Sequence, residues 1–325
     1  MTDLAIRPID HTDLVGDRND HRPDKLFSAA AMAAGYLVLV ILAAIAISTT
    51  VKSWPAFQAE GFGYFFRDEW APSRGRFGAA SIVYGTLVVS AIALVVAVPL
   101  SIGIALFITE VAPRKVRSWI TGIMDVLAAV PSVVFGLWGF LMLRPYLKDF
   151  YNAVADAVAG VPVLRSIFGP SLSGQSFMTA GLIVGIMIVP IITSIVREVL
   201  STVPINEKNG ALALGATRWE MIRGVVFPHS TGGMVGAVML GLGRAMGETI
   251  AVALVIGASP QITANLFSQG DAMPSIIARN LNEASGTYRA ALIGLGVGLF
   301  LLTILINISA RLLVRRVDAR TKGAR

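Results

Sequence analysis

The chain contains no cysteine, few charged residues and only three histidines. Of its 325 residues 14% are charged and 55% are hydrophobic, and the mean hydropathy is +0.71, whereas soluble chains carry about a quarter charged residues. Without cysteine there is no disulfide framework, no cysteine metal site and no thiol nucleophile. His11, His21 and His229 are scattered along the chain, so the sequence offers no clustered acid–base groups for an enzyme.

The chain also lacks a Walker A pattern, so we expect no ATP binding through a P-loop. Gly241, Gly243 and Gly247 superficially resemble a dinucleotide fingerprint. They lie in an apolar run with no preceding strand, which excludes that interpretation. We therefore expect no catalytic residue, no metal and no cofactor in this chain.

Long apolar stretches are the dominant feature of the sequence. A helix needs about 20 mostly apolar residues to cross a bilayer, and six stretches meet this requirement. The predicted spans are Phe27–Ser48, Ala79–Thr109, Ser118–Leu143, Phe177–Val196, Gly232–Ala258 and Ala290–Ala310. We predict an all-α membrane protein with six transmembrane helices. Pro131 and Pro190 lie inside the third and fourth spans, where each can kink its helix.

The distribution of lysine and arginine predicts the orientation in the membrane. An even number of spans places both termini on one side, and that side has 17 Lys and Arg residues against 9 on the other. The positive-inside rule makes the richer side cytoplasmic. Because this rule accounts for the net charge of +7, we expect contact with the lipid bilayer and none with nucleic acid.

The predicted domain organisation has three parts. Residues 1–26 form a disordered cytoplasmic tail without the features of a cleaved signal peptide. Residues 27–316 form the six-span domain, with a cytoplasmic loop at 199–229, and residues 317–325 form a second cytoplasmic tail. The external loops, Thr49–Gly78, Arg144–Ser176 and Ser259–Arg289, contain aromatic, proline and glycine residues. They serve either as interface anchors or as a platform for an external protein.

The 199–229 loop predicts two short helices joined at a glycine. Pro204 ends the fourth span, Asn206 can cap a new helix, and Gly215 ends that helix. Thr217 and Glu220 have the spacing of a capping box for a second helix.

The second short helix is amphipathic. Trp219, Ile222 and Val226 share one face at helical spacing, and Pro228 is expected to end the helix and begin the fifth span. Such a helix either lies in the membrane interface or binds a partner.

The fifth span contains two charges, Arg244 and Glu248. Their i, i+4 spacing predicts that Glu248 lies one turn above Arg244 on the same face of the helix. A charge at this depth costs several kcal/mol, so it should face protein or water. Gly241 and Gly247 flank the arginine on the helical wheel, so no bulky side chain covers the guanidinium.

Two interpretations of the pair remain open. The pair either orients the span as a salt bridge, or its guanidinium binds a tetrahedral oxyanion through paired donors on a transport path. The second interpretation predicts a substrate path formed by Arg244, Glu248, Gly241, Gly247 and Thr249. A further row of small residues at every fourth position predicts close helix packing: Gly233, Ala237, Gly241, Ala245, Thr249 and Ala253.

The 199–229 loop resembles the loop signature of ABC importer permeases. That signature begins with Glu-Ala-Ala, followed by three residues and Gly. After nine more residues it ends with an aliphatic residue, one residue of any type, a second aliphatic residue and Pro. The matching positions are Asn209, Gly210, Ala211, Gly215, Val225, Phe227 and Pro228. Asn209 stands in place of Glu, Gly210 in place of Ala and Phe227 in place of Leu. The resemblance implies that this loop docks on an ATPase subunit. It implies ATPase-coupling positions at Asn209, Gly210, Ala211, Gly215, Trp219, Ile222 and Pro228.

Two more segments narrow the resemblance. With GLGRAMGETIAV at 241–252 and AAVPSVVFGLWGF at 128–140, the chain is similar to phosphate-specific ABC importer permeases of the C type. The family implies a type I importer (MetI-like) permease fold in the bacterial inner membrane and import of inorganic phosphate. It also implies three kinds of partner: a second related permease forming a heterodimer, two ATP-binding ATPase subunits, and an extracytoplasmic phosphate-binding protein. ATP hydrolysis would then occur on the partner chains.

Other functions are weighed against this one. A permease for sulfate or molybdate would have a similar charged pair. A secondary transporter working alone would have no need of the 199–229 loop. A membrane enzyme acting on a phosphorylated lipid would need a catalytic cluster, which the sequence lacks.

Overall fold

The computed structural model describes residues 22–61 and 63–322, with side chains from Lys25 to Leu312. Two compact units are present, Met1–Val51 and Lys52–Arg325. Most of the predicted N-terminal tail, residues 1–21, lies outside the described residues. The tail prediction ends too late, because helix α1 already begins at Arg22 and continues to Glu60. The C-terminal helix likewise continues through the predicted tail to Lys322.

The described part of the chain is almost entirely helical. After α1 the helices are α2 (Gly63–Phe66), α3 (Ala80–Leu106), α4 (Arg114–Ala129), α5 (Ser132–Trp138), α6 (Arg144–Ala157), α7 (Pro162–Ile167), α8 (Phe177–Ser201), α9 (Ile205–Ala213), α10 (Arg218–Met221), α11 (Phe227–Met246), α12 (Ile250–Val255), α13 (Met273–Asn280) and α14 (Gly286–Lys322). Turns of π-helix, Phe107–Val111, Gly139–Leu143 and Ile222–Val226, extend α3, α5 and α10. A short antiparallel hairpin pairs β1 (Trp70–Ala71) with β2 (Arg76–Phe77).

Helices α3 and α8 form the centre of the larger unit. A Cβ atom at Gly181 would lie 2.5 Å from Cβ of Ile92, so the two backbones approach more closely than larger side chains would allow. The Ser101 hydroxyl donates to the carbonyl of Val189 at 3.1 Å. Buried hydroxyls bound to a neighbouring carbonyl avoid the cost of an unpaired polar group in an apolar interior.

The predicted row of small residues packs α11 onto α8. A Cβ at Gly233 would lie 2.5 Å from a methyl carbon of Val199, and one at Gly241 would lie 2.5 Å from Cδ1 of Ile192. The predicted close packing is therefore confirmed for the small residues of the row that lie in α11, which ends at Met246.

Five described helices are long and apolar enough to cross a membrane, and a bent pair supplies a sixth candidate. The second, fourth and sixth predicted spans correspond to α3, α8 and α14. The kink expected at Pro131 in the third span is confirmed, whereas the prediction of a continuous helix through Arg244 and Glu248 in the fifth span is wrong. The third is bent by 90° between Arg114–Ala129 and Ser132–Ala157, because Val130 and Pro131 adopt extended backbone (ψ 127° and 141°), as proline favours for its predecessor. Pro190 lies inside α8 without a break, since packing on α3 maintains the helix.

A second core lies at the end of the larger unit opposite the 199–229 loop. The predicted external loops there contain helices α2, α6, α7 and α13. Tyr64 is fully buried and donates to the carbonyl of Ala291 at 2.5 Å. Asp271 is buried beside Arg279, whose guanidinium binds its carboxylate. Burial raises the pKa of Asp271, and the arginine opposes that shift.

Candidate functional site

The fifth span is interrupted beside its two charges. Helix α11 ends at Met246 with Gly247 as its C-cap, and α12 begins after Thr249. The sequence contained a signal for this break, since glycine is favoured after a helix and threonine before one. The long apolar run obscured that signal. Glu248 therefore lies in the break and not one turn higher on a continuous helix.

The charged side chains still meet across this break. Nη2 of Arg244 lies 3.8 Å from Oε2 of Glu248. The glutamate side chain is 5% exposed and the arginine side chain 49% exposed. The other glutamate oxygen accepts from the backbone amide of Ala251 at 3.4 Å. The carboxylate is thus fixed inside the protein, whereas the guanidinium keeps donors free for another acceptor.

The break in the third span lies beside the same arginine. Val130, together with Ala128 and Phe135, lines a small cavity of about 290 Å³ that Arg244 also lines. Helices α5 and α12, which follow the two breaks, touch each other: a Cβ at Gly136 would lie 2.7 Å from Cα of Ala251. The two interruptions are therefore parts of one structural region.

Arg244 also lines a larger open groove of about 940 Å³. This groove runs along α8, α11 and α14 toward their ends near the 199–229 loop, where Arg311 and Val199 line it. Most of its other lining residues are glycines and aliphatic side chains of α11. Arg244 is thus shared by the small cavity between the two breaks and the groove that leads away from it.

The remaining predicted substrate-path residues differ in their surroundings. Gly247 is exposed in the break, and the Thr249 hydroxyl donates to its carbonyl at 3.0 Å. Gly241 is buried against Ile192 of α8, so its visible role is close packing. For all of these residues the assignment to a substrate path stays a prediction.

The 199–229 loop folds as two helices around a glycine. Gly215 adopts φ +88°, a left-handed conformation that favours glycine. The capping box is confirmed: the Glu220 amide donates to Oγ1 of Thr217 at 3.3 Å, and Glu220 accepts from the Thr217 amide at 2.7 Å. The hydrogen bonds that the Glu220 carboxylate accepts from the Thr217 amide and hydroxyl lower the pKa of Glu220. Asn206 is not the cap of α9, because Pro204 takes the N-cap position.

Two further details of the loop correct the sequence prediction. Pro228 does not end a helix, because the chain passes from α10 through the π-turn Ile222–Val226 into α11; a widened turn accommodates the missing proline N–H. Ile222 and Val226 are buried, but Trp219 is largely exposed. Met221 takes the expected place of Trp219 in the buried face.

The other positions taken from the loop signature lie at the surface or close to it. Asn209 and Gly210 are exposed on α9, and Ala211 is half-buried. Leu214, directly before the glycine, is 91% exposed. Exposed leucine and tryptophan side chains at one elbow are typical of a surface that a partner covers.

An ion pair that sequence reasoning missed connects the 199–229 loop to another span. Nζ of Lys208 on α9 lies 2.6 Å from Oε1 of Glu110, in the π-turn at the end of α3. The two residues are 98 positions apart in the sequence, so no local pattern could have indicated the contact.

Comparison with known proteins places this architecture in a family. Residues 97–323 match the family described as binding-protein-dependent transport system inner membrane component. The phosphate transport system permease protein PstC of Mesorhizobium japonicum is 42% identical over 92% of both chains. The PstC of Haemophilus influenzae is 40% identical over 92% of this chain and 95% of its own. The chain belongs to the inner-membrane components of binding-protein-dependent transport systems and, among these, to the phosphate transport system permeases.

A solved structure shares the fold. It is a bacterial alginate ABC transporter in complex with an alginate pentasaccharide-bound periplasmic protein. One of its chains is 17% identical, aligns over 92% of this chain and 97% of its own, and gives a TM-score of 0.61. This similarity supports the fold of an ABC importer permease and nothing about the substrate.

Proposed function

We propose that this chain is the transmembrane subunit through which an ABC importer moves inorganic phosphate into the cell. The observation that carries the proposal is the half-exposed Arg244 held beside the buried Glu248, at the junction of two interrupted spans. Broken helices around a charged site are a recurring design for ion and substrate sites in transporters. The PstC relatives favour phosphate over sulfate or molybdate as the anion.

Arg244 supplies the positive charge on the proposed path. A phosphate ion crossing an apolar interior needs a compensating charge, because transfer of a bare ion from water is very costly. A guanidinium offers five donors in a planar fork that fits an oxyanion through two parallel hydrogen bonds. Glu248 is fixed by the Ala251 amide and holds the arginine when no anion is present.

The test is phosphate uptake by the complete transporter in membranes. Arg244→Gln should abolish uptake while the complex stays assembled, and Arg244→Lys should also lose most activity, because an ammonium lacks the fork. Arg311→Gln is the matched control, since Arg311 lines the far end of the same groove; it should lose much less. Undiminished uptake by Arg244→Gln would refute the path. Uptake of sulfate in place of phosphate would assign another anion.

Glu248→Gln separates two roles of the carboxylate. The amide keeps a hydrogen-bond acceptor for the Ala251 amide but removes the negative charge. If Glu248 only holds the arginine, uptake should fall less than in Arg244→Gln. If release of the anion needs the negative charge, the two losses should be equal.

We also propose that the 199–229 loop binds an ATPase subunit. The exposed Leu214 and Trp219 give this elbow an apolar surface suited to a partner groove. The complex would contain two such subunits, a second related permease and an external phosphate-binding protein. Copurification of these subunits with the tagged chain tests the composition, and a complex lacking any ATPase would contradict it.

The proposed orientation places the 199–229 loop in the cytoplasm. Leu214 and Leu172 are 91% and 88% exposed, and they lie toward opposite ends of α8. In this cysteine-free chain, Leu172→Cys should react with an impermeant thiol reagent added outside, and Leu214→Cys should not. The reverse labelling would invert the topology and remove the ATPase assignment.

A further inference from the structure

Helix α9 has little apolar attachment to the rest of the described protein. None of its residues is buried, and Ala211 is the one that packs on the core, as a half-buried contact. A surface helix with so little buried area needs polar contacts to transmit a displacement to the spans. Two side-chain contacts of the described α9 involve charged groups, Lys208 with Glu110 and Glu207 with His229, and they differ in distance and exposure.

The Lys208–Glu110 pair is short and shielded from solvent. Its atoms are 2.6 Å apart, and the two side chains are 13% and 9% exposed. The second pair, between Glu207 and His229, has a separation of 3.7 Å and much more exposed side chains. Exposed pairs contribute little, whereas removing one partner of a shielded pair leaves an uncompensated charge. Lys208 and Glu110 therefore form the stronger polar link from α9 to another part of the protein.

Glu110 connects this link to a long helix. It lies in the π-turn that directly continues α3, and α3 has 27 residues, so it spans about 40 Å at about 1.5 Å per residue. Along that length α3 packs on α8 with close backbone contacts. The helix is continuous through Pro99, so a displacement at Glu110 acts on one helix and is not absorbed by a loop.

The opposite end of α3 is bound to the segment between α12 and α13. The Tyr84 hydroxyl donates to the Thr263 carbonyl at 2.6 Å, and the Met273 amide donates to Oγ1 of Thr86 at 2.9 Å. A Cβ at Gly85 would lie 1.8 Å from the carbonyl oxygen of Asp271, so the two backbones are in direct contact. This segment follows α12, which begins at the break that contains Glu248.

We propose that the Lys208–Glu110 pair is a strut through which the 199–229 loop drives α3, and that α3 transmits the motion to the segment 256–273 at the other end of the protein. The inference rests on the proposed function, because it assumes that an ATPase moves the loop. Lys208 and Glu110 are positioning residues: neither contacts the proposed substrate path. Their role is to link ATP hydrolysis to transport, so their loss should change the ratio of phosphate moved to ATP hydrolysed.

The experiment measures that ratio in the complete transporter reconstituted in vesicles. Lys208→Met and Glu110→Gln remove one charge each and should lower the ratio about tenfold, within the range of typical coupling between sites. The complex should stay assembled and hydrolyse ATP. Lys208→Arg keeps the charge, so its ratio of phosphate moved to ATP hydrolysed should stay close to that of the wild type. The exchanged pair, Glu110→Lys with Lys208→Glu, should recover most of the loss. A wild-type ratio in the two neutral variants would overturn the strut.

A second arm remains decisive if the neutral variants assemble poorly. The double variant Glu110→Cys with Lys208→Cys, treated with a short bifunctional thiol crosslinker, should regain the ratio, because a covalent link replaces the ion pair. A monofunctional thiol reagent is the control and should not restore it. No recovery on crosslinking would overturn the strut. If the wild-type complex itself moved no phosphate, the proposed function would be refuted. The strut is tested separately, by comparing the phosphate-to-ATP ratio of each variant with that of the wild type.

Discussion

Helices α3 and α8 each continue as one helix past a proline, Pro99 and Pro190, whereas the third and fifth spans are interrupted near their centres. The continuous pair buries the close backbone contacts, such as Gly181 against Ile92. The interrupted spans carry the exposed guanidinium of Arg244 and the two cavities that it lines. The charged pair of the candidate site thus lies on an interrupted span, while α8 contributes both to the close packing and to the walls of the two cavities.

The breaks are compatible with an apolar environment because local groups satisfy their backbone. The Val134 amide donates to the Pro131 carbonyl at 3.0 Å. At the other break, Oε1 of Glu248 accepts from the Ala251 amide at 3.4 Å. An unpaired backbone group in hydrocarbon costs several kcal/mol. A break is therefore stable only where such partners exist, and the chain supplies them at both sites.

The largest expected effect is a loss of stability when the contact between α3 and the segment that contains Asp271 is disturbed. In Gly85→Ala the new methyl would overlap the Asp271 carbonyl, so α3 or the facing segment must move, and we expect a loss of at least ~3 kcal/mol. Gly103→Ala in the same helix meets nothing within 4 Å and should stabilise by up to ~1 kcal/mol. Thermal unfolding of the purified complex measures both. Equal stability of the two variants would contradict the close contact.

The second-largest expected effect is on the coupling of ATP hydrolysis to uptake. It concerns the 199–229 loop, which connects α8 to α11. Gly215 has φ +88°, and a side chain in the left-handed region costs ~1–2 kcal/mol. Gly215→Val should therefore shift the elbow and uncouple ATP hydrolysis from uptake, while Gly215→Asn, which tolerates this conformation, should stay coupled. Simultaneous measurement of ATPase activity and uptake distinguishes them. If the valine variant couples as well as the asparagine variant, the elbow is not needed.

A smaller effect is expected from strengthening the helix at a break. Gly247 has φ −88° and a new Cβ would be 3.4 Å from the Gly243 carbonyl, so alanine fits and favours helix by ~1 kcal/mol. We expect Gly247→Ala to stabilise the complex slightly and lower uptake, by about fivefold at most. Gly122→Ala, in the unbroken α4, should change stability in the same direction without the loss of uptake. Full uptake in both variants would mean that transport does not require the break between α11 and α12 to change conformation.

The smallest effect is predicted at Ala258, which follows α12. Its φ of +58° is the one positive value at a non-glycine residue in the described part of the chain. Ala258→Gly relieves this strain but adds chain entropy, so the net gain should be below ~1 kcal/mol. Ala253→Gly, inside α12, should instead destabilise by up to ~1 kcal/mol. A shift of the unfolding midpoint in the same direction for both would contradict the assigned strain.

Local patterns were sufficient for several elements. The Thr217–Glu220 capping box and the elbow at Gly215 depend on residues within a few positions of each other, so propensity alone determines them. The second, fourth and sixth spans follow from long apolar runs, because a bilayer requires about 20 such residues. The same reasoning fails at Trp219, where a π-turn changes which side chains face the core.

What the sequence by itself determined was the membrane class, the number of apolar segments, the charged pair in the fifth of them and the family resemblance. The tertiary structure decided that two of the segments are broken, that Glu248 is buried while Arg244 is half-exposed, and that Lys208 meets Glu110. Hydropathy and capping signals act over one or two turns of chain. Burial and long-range pairing depend on which helices pack together, and only the folded chain brings residues 98 positions apart into contact.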